Sequence, residues 1–390
     1  MQQGAEEQQN PLGRFEVLVL QMEDGQRKIV HDAYGFVKSA ESRPMALAES
    51  TAERDRSWFT FLTRLGMDNL AGNIDTLKTN EGDKGNKDRQ EFSRLVKLGI
   101  PVAFRQQIWL ALASRSEKTI KLSSREFNAN VSRARTELPS EVIKCIRNDL
   151  DRTFPGHSMF SSSSGLLNLE CVLITFAFEH RSIRYCQGLN MYAGQFLQFL
   201  TPHDSLEMLR HFVTGILPET YFDNSMRGRM IDGLVIEHLI RDEMPTVHGK
   251  FEELDFDVAI ATGAWFSQCF TGCFSDMELV FRVFDLLLWF GNIVVFRLAM
   301  SIVRKNEYRI IAAKSAKELY ELFVKMALDV NTGDIREAAE YKLRTSAMEA
   351  MRDKIMGRKT DALEVEVERL RARYKAKVEE ALGDDGGEDV

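Results

Sequence analysis

Two short stretches carry side chains whose types and spacing could do chemistry. "IRNDLDRTFPGH" (Ile146–His157) places Arg152 at the end of a helical turn, one turn after Asp149, and runs at once into Thr153-Phe154-Pro155. "RYCQGLNM" (Arg184–Met191) places Gln187 directly before Gly188. An arginine keeps its charge and offers a planar fork that matches carboxylate or phosphate oxygens. A primary amide can accept through its carbonyl while its NH₂ donates elsewhere. Taken one at a time, both stretches have a plain structural reading. Arg152 could face the dipole of its own helix end and pair with Asp149 or Asp151. "YCQG" could be no more than a turn.

The rest of the chain offers no nucleotide site of its own. There is no GxxxxGK followed by Ser or Thr, and no GxGxxG after a strand. HExxH, GxSxG and Cys/His zinc patterns are missing, and the seven histidines show no ligand spacing. Cys269 and Cys273 stand four apart on one helical face, which fits core packing better than metal binding without a third ligand nearby. The five cysteines contain no CxxC pair and read as reduced, partly buried thiols, with Cys145, Cys171 and Cys269 inside apolar runs. A net charge of −7 argues against a dominant role on nucleic acid or on an anionic membrane. The start "MQQGAEEQQN" is polar, with no signal peptide. The most apolar run, "FDLLLWFGNIVVFRLAM" (Phe284–Met300), carries Asp285 and Arg297 and breaks at Gly291-Asn292. It predicts two buried helices around a turn, not a transmembrane segment.

The elements that must hold these side chains are helical. Of 390 residues, 44% are apolar and only 8 are proline, so the chain can build one large core or two smaller ones. From Glu91 to about Leu328 the apolar spacing predicts a succession of helices, each roughly 10–18 residues long. Gly99 closes one by the left-handed route and Pro101 opens the next. Pro139-Ser140 starts the helix that leads to Arg152, and Pro155 forbids its continuation. The serines of "SSSSG" offer a cap to the helix after it. "DRSWFTFLTRLGM" (Asp55–Met67) predicts an amphipathic helix with Trp58, Phe61, Leu62 and Leu65 on one face.

Outside this region three segments read differently. In residues 1–54 the alternation on either side of Glu23-Asp24-Gly25 fits a small β-hairpin, followed by a linker over 39–54. Residues 79–90 are polar and contain glycine, and read as a mobile insertion. Residues 331–390 are charged and helical, ending in an acidic, disordered tail. Leu363, Val367, Leu370 and Tyr374 follow a 4-3-4 spacing, and Lys377 interrupts it. A solvated single helix and a coiled coil able to self-associate weakly both fit that pattern. With the insertion, everything after about 335 is expected to stay outside the core.

At this point the chain resembles a known family. Ile146, Asp149 and Arg152 stand where the TBC domain carries its Ile-x-x-Asp-x-x-Arg signature, and "YCQG" (Tyr185–Gly188) matches its Tyr-x-Gln-Gly signature. "LVKLGIPVAFRQQIWLALA", with Gly99, Ile100, Pro101, Arg105 and Trp109, resembles the family's opening element. "LIRDEMPTVHGKFEELDFD", "WFSQCF" and "FRVFDLLLWFG" resemble its later helices, with Pro245, Trp265, Phe266, Arg282 and Asp285 in place. "RVFD" departs from the usual tryptophan before the aspartate, a change of packing. The resemblance covers residues 91–328 within a domain spanning 55–330.

The resemblance implies an all-α, multi-helix TBC-type domain that activates Rab-type small GTPases in their GTP-bound state. It implies that Arg152 and Gln187 act in trans as arginine and glutamine fingers, with GTP and Mg²⁺ brought by the GTPase and no cofactor of the chain's own. Asp149, Tyr185, Gly188, Asn190, Arg105 and Trp109 are then expected to support the fingers or touch the GTPase. Asp149 would position Arg152, Tyr185 would hold its loop, and Gly188 would let backbone approach closely. Asn190 would either touch the partner or cap a helix. Arg105 and Trp109 read as structural, and Arg282 and Asp285 as an internal ion pair. The expected setting is the cytoplasm, with peripheral recruitment to endomembranes in vesicle trafficking. The rival reading is an inactive TBC-shaped scaffold or adaptor that binds a Rab without accelerating it.

Overall fold

A computed structural model describes residues 48–79, 83–113, 123–222, 226–274, 276–343 and 361–383. The 15–30 hairpin and the acidic tail lie outside these residues. The described residues hold eighteen α-helices and no strand. In chain order they begin with α1 (Ala48–Leu65), α2 (Leu70–Thr79), α3 (Asp83–Leu98), α4 (Val102–Ala113), α5 (Ser124–Glu137) and α6 (Ser140–Leu150). The middle of the chain forms α7 (Ser163–Glu179), α8 (Leu189–Leu197), α9 (Pro202–His211), α10 (Arg227–Glu243), α11 (Pro245–Glu253) and α12 (Val258–Ser267). It closes with α13 (Met277–Phe290), α14 (Ile293–Lys305), α15 (Glu307–Ile311), α16 (Ala316–Leu328), α17 (Thr332–Ala338) and α18 (Ala362–Gly383).

Local chemistry sets several boundaries where the sequence predicts them. Gly99, at φ 90°, ends α3, and Pro101 precedes α4. The Ser162 hydroxyl accepts from the Gly165 amide 3.1 Å away and starts α7. Gly291, at φ 80°, separates α13 from α14. Ser123 and Glu126 form a capping box that starts α5, a helix whose S-x-x-E signal the sequence carries.

The core is built on α7, α8, α9, α13 and α14. Phe176, Tyr192, Phe196, Phe212, Phe284 and Phe296 are fully buried there. Behind it lies a polar knot. The buried Asp285 carboxylate accepts from Arg105 Nε and Nη2, each at 3.2 Å, from Trp109 Nε1 at 2.7 Å and from the Ile100 amide at 2.9 Å. Burial pushes Asp285 above the usual carboxylate range, and the Arg105 charge opposes it. Arg282 instead pairs with Glu278 at 2.9 Å. The expected Arg282–Asp285 pair is therefore replaced, because Asp285 points into the core where four N–H donors from three residues of the α3–α4 corner converge.

Three further expectations need correction. Most of the predicted mobile insertion is the first part of α3, whose Asp88 and Glu91 are held by Arg64 at 2.9 and 2.6 Å. The 39–54 linker gives way to α1 from Ala48 onward. Cys145 is exposed on α6, despite its apolar neighbours.

The charged C-terminal helix is neither solvated nor a coiled-coil strand. It lies along α10 and α14, with Leu363, Val367, Leu370, Tyr374 and Val378 buried. Arg371 grips the buried Asp232 through Nε at 2.7 Å and Nη2 at 2.6 Å. The same Asp232 accepts the Tyr221 hydroxyl. Tyr374 meets His238 Nδ1 at 2.9 Å, and Arg297 of α14 holds Asp361 at the helix start. The apolar spacing alone fits either a solvated helix or a coiled-coil strand. Here the stripe is matched by the domain's own surface.

Candidate functional site

Arg152 sits just past the end of α6. The Thr153 hydroxyl donates to the Asp149 carbonyl at 2.7 Å, and the Thr153 amide to the Leu150 carbonyl at 3.0 Å. These bonds satisfy carbonyls that the helix end would leave orphaned. The chain then reverses through Phe154, at φ 47°, whose ring is buried against Phe160 with centroids 5.8 Å apart. A left-handed phenylalanine is strained by about 1–3 kcal/mol, and its buried ring is what holds it there. Arg152 is thereby fixed at its Cα while its side chain stays 55% exposed.

The second segment bends by the same means. Arg184 is left-handed at φ 52°, and Gly188 follows at φ 106° as the residue preceding α8. Within this chain a Cβ on Gly188 would meet open space. Its φ is what requires glycine. Close packing within the chain occurs at Gly194. A Cβ on Gly194 would lie 2.8 Å from Thr153 Cγ2 and 3.0 Å from the Phe154 ring, so α8 packs straight onto the turn that follows Arg152.

Two bridges join the segments. The Tyr185 hydroxyl donates to Asp149 Oδ2 at 2.5 Å, while Arg152 pairs with Asp149 Oδ1. Asn190 Nδ2 donates to Thr153 Oγ1 at 2.8 Å, and Asn190 Oδ1 accepts from the Gly188 amide at 3.2 Å. Asn190 is buried and organises the loop from beneath. Burial, and then the bond to Asp149, push the Tyr185 phenol well above its usual range, so it remains a donor.

The two segments line one open concavity of about 520 Å³ through Arg152, Gln187 and Gly188, with Met226, Arg229 and Gln268 among the other lining residues. Gln187 is exposed. No acidic residue lines it among the described residues. An arginine-bearing hollow without carboxylates suits an anion and is a poor metal holder.

Arg105 and Trp109 are not at this concavity. Both are fully buried in the knot around Asp285, and Trp109 backs α8 through Phe196, edge-on at 6.1 Å. Gly194 and Arg229 belong to the site although no motif marks them.

A family model described as the Rab-GTPase-TBC domain matches residues 103–311, more than half of the chain. The chain belongs to the Rab-GTPase-TBC domain family. Its TBC domain is 30% identical to human Small G protein signaling modulator 3 over 235 residues, 59% of this chain and 31% of that protein. It is 27% identical to human TBC1 domain family member 2B over 235 residues, 59% of this chain and 24% of that one. The chain thus matches about a third or less of these relatives' length. The Chlamydomonas flagellar RabGAP TBC domain has the same fold, with a TM-score of 0.61 at 20% identity over 80% of this chain and 98% of the other. Among the described residues no helix of the TBC domain is long and apolar enough to cross a membrane.

Proposed function

We propose that this TBC domain accelerates GTP hydrolysis on a Rab-type small GTPase, with Arg152 and Gln187 supplied in trans. The observation that supports this is their shared placement. Both side chains are exposed on one acid-free concavity, and their backbones are locked together by Tyr185–Asp149 and Asn190–Thr153. GTP and Mg²⁺ arrive with the GTPase. Arg152 stabilises charge on the transferring phosphoryl oxygens, an effect of about 10³–10⁵ in rate when an arginine enters in trans. Asp149 holds one edge of the guanidinium and leaves the other N–H donors to the phosphate. Gln187 orients the attacking water through its carbonyl and keeps its NH₂ available to donate elsewhere.

Single-turnover hydrolysis across a panel of GTP-loaded Rab-type GTPases tests the proposal. One or more should respond, and Arg152→Ala and Arg152→Lys should each remove most of the response, about a hundredfold or more, without moving the thermal melt. Lysine keeps the charge and loses the fork, so a lysine variant near wild-type activity would refute the arginine assignment. Tight GTP-dependent binding with no acceleration on any member would instead favour the scaffold reading.

A further inference from the structure

Arg229 differs from the other arginines packed into this domain. Arg105, Arg210, Arg282, Arg297, Arg304 and Arg371 are buried or half-buried, and each holds a carboxylate. Arg229 is half-buried in the first turn of α10 and, among the described residues, holds none. Its Nη2 donates to Cys186 Sγ at 3.4 Å and its Nη1 to Met226 Sδ at 3.5 Å, while the Phe222 ring lies 5.7 Å from its guanidinium carbon. Its Nε is buried with no hydrogen-bond partner. Sulfur is a weak acceptor and cannot replace a carboxylate. A half-desolvated guanidinium left on such partners is costly unless an anion completes it.

The position gives this unfilled valence a direction. Arg229 touches the residue immediately before Gln187 and lines the same concavity as Arg152. The hollow therefore carries two guanidinium groups, Arg152 paired with Asp149 behind the surface and Arg229 without a carboxylate, and no lining carboxylate among the described residues, in a chain whose net charge is −7. Low-dielectric walls concentrate that local positive field. The exposed Met226 and Met230 flank Arg229 on the α10 turn and offer apolar contact around the charge.

We infer that Arg229 is a docking residue of the site, which completes its coordination on a surface carboxylate of the GTPase and sets how tightly the partner seats. The inference rests on the proposed function, because it takes the GTPase as the body that enters the concavity. A carboxylate is favoured over the nucleotide phosphate because Arg229 is half-buried against Cys186 and Phe222, while the more exposed Arg152 extends from the finger turn.

The full chain is titrated in single turnover against a GTPase that responds to it. Arg229→Gln should raise the half-saturating concentration about tenfold while the maximal rate stays within about threefold. Arg229→Lys should recover most of the loss, since charge and not fork geometry is required for docking. Added salt should weaken wild type more than Arg229→Gln. A half-saturating concentration within twofold of wild type for Arg229→Gln would overturn the inference. So would a lysine variant no better than glutamine, or a fall in maximal rate alone, which would move the contact to the phosphate. Thermal melts verify folding, and Arg229→Met, which keeps an apolar stem over Phe222, replaces glutamine if that variant melts early. If wild type accelerates no GTPase, the proposed function fails with it. If wild type accelerates and Arg229→Gln is unchanged, only the docking role fails.

Discussion

The Tyr185 hydroxyl donates to Asp149 Oδ2 at 2.5 Å, and the same carboxylate pairs with Arg152. One buried carboxylate thus ties the arginine-bearing turn to the loop that carries Gln187. On the proposed function a partner must meet both exposed side chains at once, and such a common anchor would hold them in register, because a small misplacement of either one would lose rate.

Removing that anchor should separate fold from function. Tyr185→Phe deletes the hydroxyl and leaves one Asp149 oxygen short of a donor in a buried place, a loss of about 1–3 kcal/mol. The domain should still melt cooperatively, a few degrees lower. Stimulated hydrolysis should fall about tenfold or more at saturating protein, since the defect is in alignment and not in docking. An unchanged maximal rate would show that Tyr185 only packs.

The C-terminal helix should prove to be part of the folded domain. Asp232 is 1% exposed at its side chain, and Arg371 is its cationic partner. Arg371→Ala leaves that carboxylate with the Tyr221 hydroxyl alone. Breaking a buried pair from one side costs about 3–5 kcal/mol, whereas Arg371→Met combined with Asp232→Asn should restore much of the loss. Chemical denaturation of the single and double variants checks this. A chain ending near residue 343 should be destabilised too, as it uncovers the surface that Leu363, Val367 and Leu370 bury. Equal stability with and without residues 361–383 would mean the helix docks loosely.

Thiol chemistry offers an independent check of the packing. Burial pushes Cys269 and Cys273 each up to about 12, so at pH 8 almost none of either is thiolate, the reactive form. Cys145 is exposed. Brief treatment of the native protein with iodoacetamide should label Cys145 well before Cys269 or Cys273, as read by peptide mass spectrometry. Labelling at Cys269 as fast as at Cys145 would mean that the α12–α13 junction opens readily.

What could be read from the sequence was mostly local. The breaks at Gly99-Pro101, Ser162 and Gly291 follow from capping and backbone preference within a few residues, so they were legible. Arg152 and Gln187 stand out because their spacing and flanks form motifs, and the structure brings both to one concavity. Partnerships across the fold were not. Asp285 was expected to pair along its own helix, yet its partners lie in the α3–α4 corner, far away in sequence. Asn190 gave no sign that it would reach Thr153. The stripe on α18 was visible, but which surface covers it depends on α10, and the charged neighbours hid that answer. Arg229 carries no motif at all. Its interest lies in the lack of a carboxylate partner among the described residues, which only the packed structure reveals.

The central claim is that both groups come from this chain, and Gln187 gives the sharpest test. A responsive Rab-type GTPase is changed so that it lacks its own switch glutamine, loaded with GTP, and mixed with wild-type protein or with Gln187→Ala while phosphate release is followed. The account predicts that wild type still accelerates the altered GTPase and that Gln187→Ala does not. No acceleration of the altered GTPase by wild type, with the unaltered GTPase responding normally, would contradict it.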